Sequence, residues 1–263
     1  MVKVWNSETG QELATIEVED RQLSSHVAIS ASAGMLAVGC DDHKIRLYDA
    51  TTGEELRQFE GHTARVEAVA FCAGSERELL ASGGAEDTVK IWDTTTGKEL
   101  NQHKKHGRRV VALAFSPDGS QLASGRWDET IALWNPRLDK QPIPLKGHKL
   151  QVVSVAFSPN GRMLASRSLD DTVKIWDVES KSVLKTISVP ASRDTDVAFF
   201  QDGKRFSTGG PENTVSVWNL AGHKLQELRG HSGWVSGVVF LPTSSTSSNS
   251  RLASAGHDGV IRI

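Results

Sequence analysis

Short runs of aliphatic and β-branched residues recur along the chain and alternate with polar turns. The runs Val110–Phe115 and Val152–Phe157 each lead into a Ser-Pro-Asp-Gly or Ser-Pro-Asn-Gly turn. A shorter apolar run follows, as at 121–124, and then a loop of Gly and Asp, a run ending in Trp, and a more polar run. Such runs, bounded by Gly, Pro, Asn and Asp, are typical of strands joined by tight turns. The pattern predicts antiparallel meanders of four strands.

The meander pattern repeats with a nearly constant period. An aromatic residue followed by Asp or Asn returns every 42 to 44 residues, at Trp5, Tyr48, Trp92, Trp134, Trp176 and Trp218. The first strand of each unit is apolar on both faces, so neighbouring units must cover it. A four-stranded sheet of about 42 residues indicates a blade of a β-propeller.

Two dipeptides recur at fixed places in this repeat. Gly-His opens units at positions 61, 147 and 230, and Trp-Asp closes third strands at 92 and 176. Over essentially its whole length the sequence resembles the WD-repeat β-propeller family. The resemblance implies an all-β fold, a β-propeller of about six four-stranded antiparallel blades, with five complete repeats and partial repeats at both ends.

We predict one propeller domain over residues 1–263. Its predicted parts are 1–18, the end of a truncated repeat, the complete repeats 19–60, 61–103, 104–145, 146–188 and 189–228, and the truncated last repeat 229–263. Both ends fall inside a third strand, which favours a fragment of a longer protein, either a seven-bladed propeller or a multidomain protein. The alternative is six blades that close with a surplus, frayed strand at one end.

The family resemblance also implies a buried tetrad in each blade, formed by a His, a Ser or Thr, an Asp and the repeat Trp. Because the indole and imidazole nitrogens would be buried between sheets, each must find a hydrogen-bond partner. Two sets are complete: His106, Ser124, Asp128 and Trp134, and His148, Ser166, Asp170 and Trp176. Two are partial: His62, Ser82 and Trp92, with Glu86 where Asp is expected, and His231, Ser254 and Asp258, without a Trp.

Composition narrows the classes of function. The 30 Lys and Arg residues nearly balance the 32 Asp and Glu residues, for a net charge of −2, which makes nucleic-acid binding unlikely to be a general property. Apolar runs of about six residues are far too short to span a membrane. The two cysteines, Cys40 and Cys72, suit free thiols in a reducing compartment. We therefore expect a cytoplasmic protein without a membrane segment.

Ser, His and Asp together suggest a hydrolase triad, but the set recurs in each repeat and no G-x-S-x-G elbow surrounds these serines. The pair His103 and His106 lies beside Lys104, Lys105, Arg108 and Arg109, whose charges oppose a bound metal. We therefore predict no enzyme activity, no cofactor and no metal site.

Partner recognition remains as the expected function. In the resembled family, partners often contact the loops that enter the first strand and those between the second and third strands. Carried onto this sequence, the first loops give Arg65, Arg109, Gln151, Arg193 and Trp234, with Glu67 and Ser236 two residues after two of them. The second loops give Asp41, Ala85, Trp127, Leu169, Pro211 and His257.

Trp127 and Trp234 stand out because they lie outside the periodic Trp column, so packing between blades does not require them. Exposed Trp and Arg often dominate binding energy. Arginines at this rim point to an acidic or phosphorylated peptide. We predict a non-catalytic scaffold that binds a protein or peptide on its rim, as the regulatory or interaction part of a larger protein. The alternatives are a nucleic-acid-binding propeller that uses Lys104, Lys105, Arg108 and Arg109, or an accessory domain of a multidomain signalling enzyme.

Overall fold

The structure is a computed structural model, and it describes most of the chain. The described residues are 2–6, 9–18, 23–30, 32–72, 78–103, 108–137, 141–190, 196–241 and 251–263, with the side chains of 23–25, 211 and 241 left out. Several predicted site residues lie outside this description: His106, Arg193, Lys104, Lys105 and the side chain of Pro211.

Strands dominate the described residues. In the first half of the chain they are β1 Val2–Trp5, β2 Glu12–Ile16, β3 Leu23–Ser30, β4 Met35–Cys40, β5 Ile45–Asp49, β6 Glu55–Phe59, β7 Val66–Phe71, β8 Leu79–Gly84, β9 Val89–Asp93, β10 Glu99–His103, β11 Val110–Phe115, β12 Leu122–Arg126 and β13 Ile131–Trp134. In the second half they are β14 Ile143–Leu145, β15 Val152–Phe157, β16 Met163–Ser168, β17 Thr172–Asp177, β18 Ser182–Ser188, β19 Val197–Phe199, β20 Arg205–Gly209, β21 Val215–Asn219, β22 Lys224–Leu228, β23 Val235–Leu241, β24 Arg251–Gly256 and β25 Ile261–Arg262. A short 3₁₀ segment spans Pro211–Asn213.

The chain divides into two compact units. Unit 1 contains Met1–Leu122 and Trp134–Gln141, and unit 2 contains Ala123–Leu133 and Pro142–Ile263. Unit 1 holds the sheets β1-β2, β3-β4-β5-β6 and β10-β9-β8-β7, and unit 2 holds β15-β16-β17-β18, β19-β20-β21-β22 and β23-β24-β25. The strands of the sheet β11-β12-β13-β14 are shared between the units. The predicted all-β class of antiparallel meanders is confirmed.

The same register recurs from sheet to sheet. The aromatic residue of the third strand pairs with an apolar residue of the second, as in Leu36↔Tyr48, Leu80↔Trp92 and Leu164↔Trp176. A register shift also returns at the start of first strands, between Val66 and Ala68 in β7 and between Val235 and Gly237 in β23. A bulge of this kind re-aims the side chain of the extra residue. Glu67 and Ser236, both predicted rim residues, are the residues at these two bulges.

Apolar side chains fill the space between consecutive sheets within each unit. In unit 1 the cluster joins Ile45, Leu47 and Phe59 of one sheet to Leu80 and Trp92 of the next. In unit 2 the equivalent cluster runs from the β15–β18 sheet to Phe199, Phe206 and Trp218. By contrast, every residue of the outer strand β22 is exposed. Inner strands are therefore covered by neighbouring sheets while the fourth strands face solvent, as the hydrophobic pattern predicted.

The Asp after the repeat aromatic has a local task in the turn that follows. Asp93 Oδ1 accepts hydrogen bonds from the backbone nitrogens of Thr95 at 2.9 Å and Thr96 at 2.8 Å, and Gly97 turns the chain with φ of 77°. Asp49 makes the same two bonds one repeat earlier. An Asp side chain that bonds its own downstream backbone fixes a tight turn. The Trp-Asp dipeptide therefore joins a core residue to the turn that ends its strand.

Candidate functional site

The predicted tetrad of the fifth repeat is connected by hydrogen bonds. The Trp176 Nε1–H donates to Ser166 Oγ at 2.8 Å, and Ser166 Oγ lies 2.7 Å from His148 Nε2. The other ring nitrogen, His148 Nδ1, lies 2.9 Å from Asp170 Oδ2. Because the carboxylate only accepts, Nδ1 carries the proton and Nε2 accepts from the serine hydroxyl. The result is a one-way chain of donors from the indole to the carboxylate.

The protonation of this tetrad follows from burial and hydrogen bonding. Burial alone would raise the pKa of Asp170, but hydrogen bonds from Thr172, the Lys149 backbone nitrogen and His148 outweigh it and lower the pKa to about 2. Burial lowers the pKa of His148, against the opposing effect of Asp170. The histidine is therefore neutral at pH 7. Ser166 is fully buried and its oxygen is already bonded on two sides, so this set supports the sheet and offers no nucleophile to solvent.

The tetrad of the third repeat works with Glu in place of Asp. The Trp92 Nε1–H donates to Ser82 Oγ at 2.7 Å, and Ser82 Oγ lies 2.7 Å from His62 Nε2. A short hydrogen bond joins His62 Nδ1 to Glu86 Oε1, which also accepts from the Thr63 backbone nitrogen at 3.3 Å. The longer side chain of Glu86 therefore reaches the same ring nitrogen that Asp170 reaches in the fifth repeat.

Two further repeats keep parts of the chain of donors. In the last repeat His231 Nε2 lies 2.9 Å from Ser254 Oγ, and His231 Nδ1 lies 2.9 Å from Asp258 Oδ2. In the sixth repeat the Trp218 Nε1–H donates to Thr208 Oγ1 at 3.1 Å. A hydroxyl from the second strand thus receives the indole in every described repeat where the chain of donors is intact at that end.

The fourth repeat departs from its predicted tetrad. Ser124 Oγ and Trp134 Nε1 are buried, and neither has a hydrogen-bond partner in the described part of the chain. Asp128 instead accepts from Thr130, through its backbone nitrogen at 3.0 Å and its hydroxyl at 2.6 Å. The ring of His103 packs edge-on against Trp134 with centroids 4.5 Å apart. The set predicted as complete is therefore not connected here, because an aromatic contact covers the indole in place of a hydroxyl.

Backbone hydrogen bonds place the two predicted rows of rim residues side by side. The nitrogen of Ala85 donates to the Arg65 oxygen at 3.0 Å, and the nitrogen of Leu169 donates to the Gln151 oxygen at 3.0 Å. The nitrogen of His257 donates to the Trp234 oxygen at 2.7 Å. Each pair joins the loop before a first strand to the loop after the second strand of the same sheet. The rim position is thus a repeated backbone feature that carries a different side chain in each repeat.

The rim of unit 1 carries a buried carboxylate between two arginines. Arg65 Nε donates to Glu67 Oε1 at 2.6 Å, and Arg109 Nε donates to Glu67 Oε2 at 2.8 Å, with a further short bond from Arg109 Nη2 to Oε1. The side chain of Glu67 is 6% exposed, while that of Arg65 is 47% exposed. The hydrogen bond to Glu67 raises the pKa of Arg109. Glu67 therefore orients Arg65 and Arg109 from below and leaves much of Arg65 at the surface.

The rim of unit 2 carries an aromatic pair. Trp234 is 56% exposed, and its ring meets that of the exposed His257 edge-on with centroids 6.0 Å apart. A side chain on Gly233 would lie 2.6 Å from the backbone nitrogen of Asp258, so the two loops approach closely only because that position is Gly. Close loops hold the indole in the open instead of letting it fold between sheets.

A family model described as "IFT122 first beta-propeller" matches residues 85–263, and a model described as "WD domain, G-beta repeat" matches residues 53–93. The chain belongs to the IFT122 first beta-propeller family. The predicted WD-repeat β-propeller fold of about six four-stranded blades is confirmed. No curated protein matches the chain. Propellers of this kind are typically protein-interaction scaffolds and are generally non-catalytic.

The other rim residues predicted for the propeller are less open than Trp234. Trp127, Gln151, Leu169 and Ser236 are half-buried. Ser236 Oγ donates to the Ala255 carbonyl oxygen at 3.4 Å. Trp127 therefore differs from the expectation of a freely exposed ring, whereas Trp234 meets it.

The propeller also holds a buried cation that the sequence analysis missed. Arg167 is 1% exposed, its Nη2 donates to the Pro190 carbonyl oxygen at 3.2 Å, and burial lowers its pKa to about 10. The signal lay in the repeat itself, because the other complete repeats carry Gly at this position, for example Gly39 and Gly83. A long charged side chain in a column of glycines marks a local departure from the repeat.

Two searches of the described residues gave negative results. They contain no group of three His, Cys, Asp or Glu side chains placed to hold a metal ion. The helical content of the same residues includes nothing of the length and apolar character that crossing a bilayer requires.

Proposed function

We propose that this propeller is a non-catalytic scaffold that holds a protein or peptide on its rim, as the regulatory or interaction part of a larger cytoplasmic protein. The family supports a scaffold in general terms, and the rim supplies the residue types that bind partners. The observation that carries the proposal is the half-exposed guanidinium of Arg65, held in place by the buried carboxylate of Glu67.

The chemistry of this guanidinium favours an acidic or phosphorylated partner. Arg65 uses Nε for Glu67, and its two η nitrogens make no other hydrogen bond among the described residues. Two parallel N–H donors match the two oxygens of a carboxylate or phosphate. Glu67 lowers the net positive charge but fixes the direction of the donors, so less side-chain entropy is lost when a partner binds.

The aromatic pair in unit 2 favours a second contact of a different kind. Trp234 and His257 offer a large apolar face with an imidazole at its edge. Exposed Trp residues are frequent among the side chains that dominate an interface. We propose that this pair receives an apolar side chain of a partner.

The family name favours a setting for the search. We propose that partners are to be sought first among the components of intraflagellar transport complexes, because the matching model describes an IFT122 propeller. Proximity labelling in cells with the wild-type chain and with Trp234→Ala would identify neighbours that depend on the exposed indole.

A peptide titration tests the acidic specificity. Fluorescein-labelled phosphoserine peptides and Asp/Glu-rich peptides are titrated with the protein, and fluorescence polarisation reports binding. We expect Arg65→Ala to weaken binding about tenfold, which corresponds to about 1.4 kcal/mol. The matched control is Arg162→Ala, since Arg162 is an exposed arginine of a turn away from the rim. Equal affinity for wild type and Arg65→Ala, or no binding of acidic peptides, contradicts the proposal.

The same titration separates the nucleic-acid alternative. A single-stranded oligonucleotide bound through Arg108 and Arg109 would weaken steeply with salt. Arg109 is paired with Glu67, which opposes that use. Oligonucleotide binding stronger than peptide binding at physiological salt would favour the alternative.

A further inference from the structure

A polar pocket of about 290 Å³ lies beside the tetrad of the third repeat, in unit 1. Its walls are Gly61, Thr63, Glu86, Thr88, Lys90 and Gln102. These residues come from the loop before the first strand, the loop and strand around the third strand, and the fourth strand of one sheet. The pocket is distinct from the arginine and tryptophan contacts proposed above.

Glu86 has one carboxylate oxygen to spare, and the comparison with the fifth repeat shows why. Asp170 uses both oxygens: Oδ2 accepts from His148 and the Lys149 nitrogen, and Oδ1 accepts from the nitrogen and hydroxyl of Thr172. In the last repeat, Asp258 likewise accepts from backbone nitrogens on both oxygens. A tetrad Asp is therefore fully engaged.

The extra methylene of Glu86 changes this arrangement. Oε1 takes the place of the Asp oxygen that faces His62 and the Thr63 nitrogen. Oε2 folds back over Gly84, where an added Cβ would lie 1.9 Å from it, so only Gly leaves room for it. Within the described chain Oε2 has no hydrogen-bond partner, and Thr88, the counterpart of Thr172, makes no bond to it.

The charges around the pocket leave an excess of one negative charge. Lys90 Nζ is committed to Glu99 Oε2 at 2.6 Å and to Gln102 Oε1 at 3.3 Å. The pKa of Glu86 is lowered: burial opposes the charged form, but the hydrogen bond from His62 outweighs it. The side chain is therefore an anion at pH 7, and leaving an anionic oxygen without a donor is costly.

We propose that this pocket binds an alkylammonium group, whose N–H donors reach Glu86 Oε2 while its carbon stem lies along Thr63 and Thr88. An ammonium group has three donors and no acceptor, which suits a pocket lined by oxygen acceptors. The group comes from a lysine side chain of a partner or from a free amine, and these two sources share the same recognition chemistry.

Nuclear magnetic resonance on the full chain tests the pocket. The indole N–H of Trp92 and the amides of Gly84 and Ala85 are followed while n-butylammonium chloride or N-acetyl-lysine amide is added. We expect saturable shifts with both probes and none with 1-butanol, which has a similar stem and no charge. Tighter binding of the lysine derivative points to a partner side chain, and tighter binding of butylammonium points to a free amine.

Two substitutions at one position provide the controls. Glu86→Asp is expected to regain the Thr88 bonds that Asp170 makes with Thr172, and so to lose probe binding at least tenfold without a lower unfolding midpoint. Glu86→Gln keeps the size, removes the charge, and is expected to lose binding to a similar extent. Absent shifts in the wild type, or unchanged shifts in both variants, would overturn the proposal and leave a pocket that holds water alone.

Discussion

Single residues of this propeller are defined by whether their polar atoms have partners. Trp234 and Trp127 both lie outside the periodic Trp column, yet only Trp234 is largely exposed and Trp127 is half-buried. The sequence identifies both rings as additions to the repeat. It does not tell how far a ring folds onto the loops around it, because that depends on side-chain packing that no period records.

The hydroxyls of two equivalent serines are expected to differ in their contribution to stability. Ser166→Ala removes the group that receives Trp176 Nε1–H and bonds His148 Nε2, and leaves both buried nitrogens without a partner. We expect a loss of about 1–3 kcal/mol in the free energy of unfolding.

Ser124→Ala is the matched control, because Ser124 Oγ is buried without a partner. It is expected to change stability by no more than about 0.5 kcal/mol, since no hydrogen bond is lost. Urea denaturation followed by Trp fluorescence measures both variants. Equal losses at the two positions would contradict the roles assigned here.

Elements of the fold follow from the hydrophobic pattern, and their irregularities do not. Apolar runs and turn residues predicted the strands β11, β12, β15 and β16 near their observed places. The bulges at Glu67 and Ser236 were not predictable, because the same residue types continue through them. The exposed, bent segment at each bulge turns a strand residue towards the rim. The predicted repeat boundaries stay a prediction.

Close packing between consecutive sheets is expected to make Gly83 intolerant of a side chain. A Cβ at this position would lie 2.5 Å from Val110 Cγ1 and 3.2 Å from the Val110 carbonyl oxygen. We expect Gly83→Ala to destabilise the protein by about 1–3 kcal/mol through overpacking.

Two comparisons make the test specific. Gly237→Ala would place its Cβ 3.6 Å or more from its neighbours and is expected to be tolerated. The double variant Gly83→Ala/Val110→Ala is expected to lose less than the sum of the single losses, because the shortened Val110 side chain relieves the clash. Thermal unfolding of the four proteins gives the answer, and strict additivity would argue against direct contact.

At the scale of the whole molecule, the period near 42 residues was the strongest information in the sequence. A period is preserved when single positions vary, so Tyr48 and Glu86 did not obscure it. The partner-binding side chains could only be proposed from their place in the repeat. Their pairing with Glu67, and the spare oxygen of Glu86, depend on distances of a few tenths of an ångström that the sequence does not specify.

Acid is expected to destabilise the protein in two steps. His148 has a lowered pKa in the folded state, so the unfolded chain gains protons first as the pH falls below about 6.5. Asp170 and Asp258 have pKa values of about 2 when folded, against 3.8 as the ordinary value, so their contribution is present above about pH 4 and is lost towards pH 2.

Urea midpoints at pH 7, 5 and 3 measure this dependence. Asp170→Asn is the control, since it removes one of the titrating groups and should flatten the acid limb between pH 4 and pH 2. Stability that rises as the pH is lowered from 7 to 3 would contradict the assigned protonation states.

The buried guanidinium of Arg167 also bears on how the chain is numbered into its fold. Repeats that are interchangeable permit slipped assemblies, in which one copy takes the place of another during folding. Residues 146–188 carry a cation at a place where their counterparts carry Gly. If this copy were moved to another slot, that cation would be buried without the Pro190 carbonyl that now receives it. One arginine thus penalises the wrong order of otherwise similar modules.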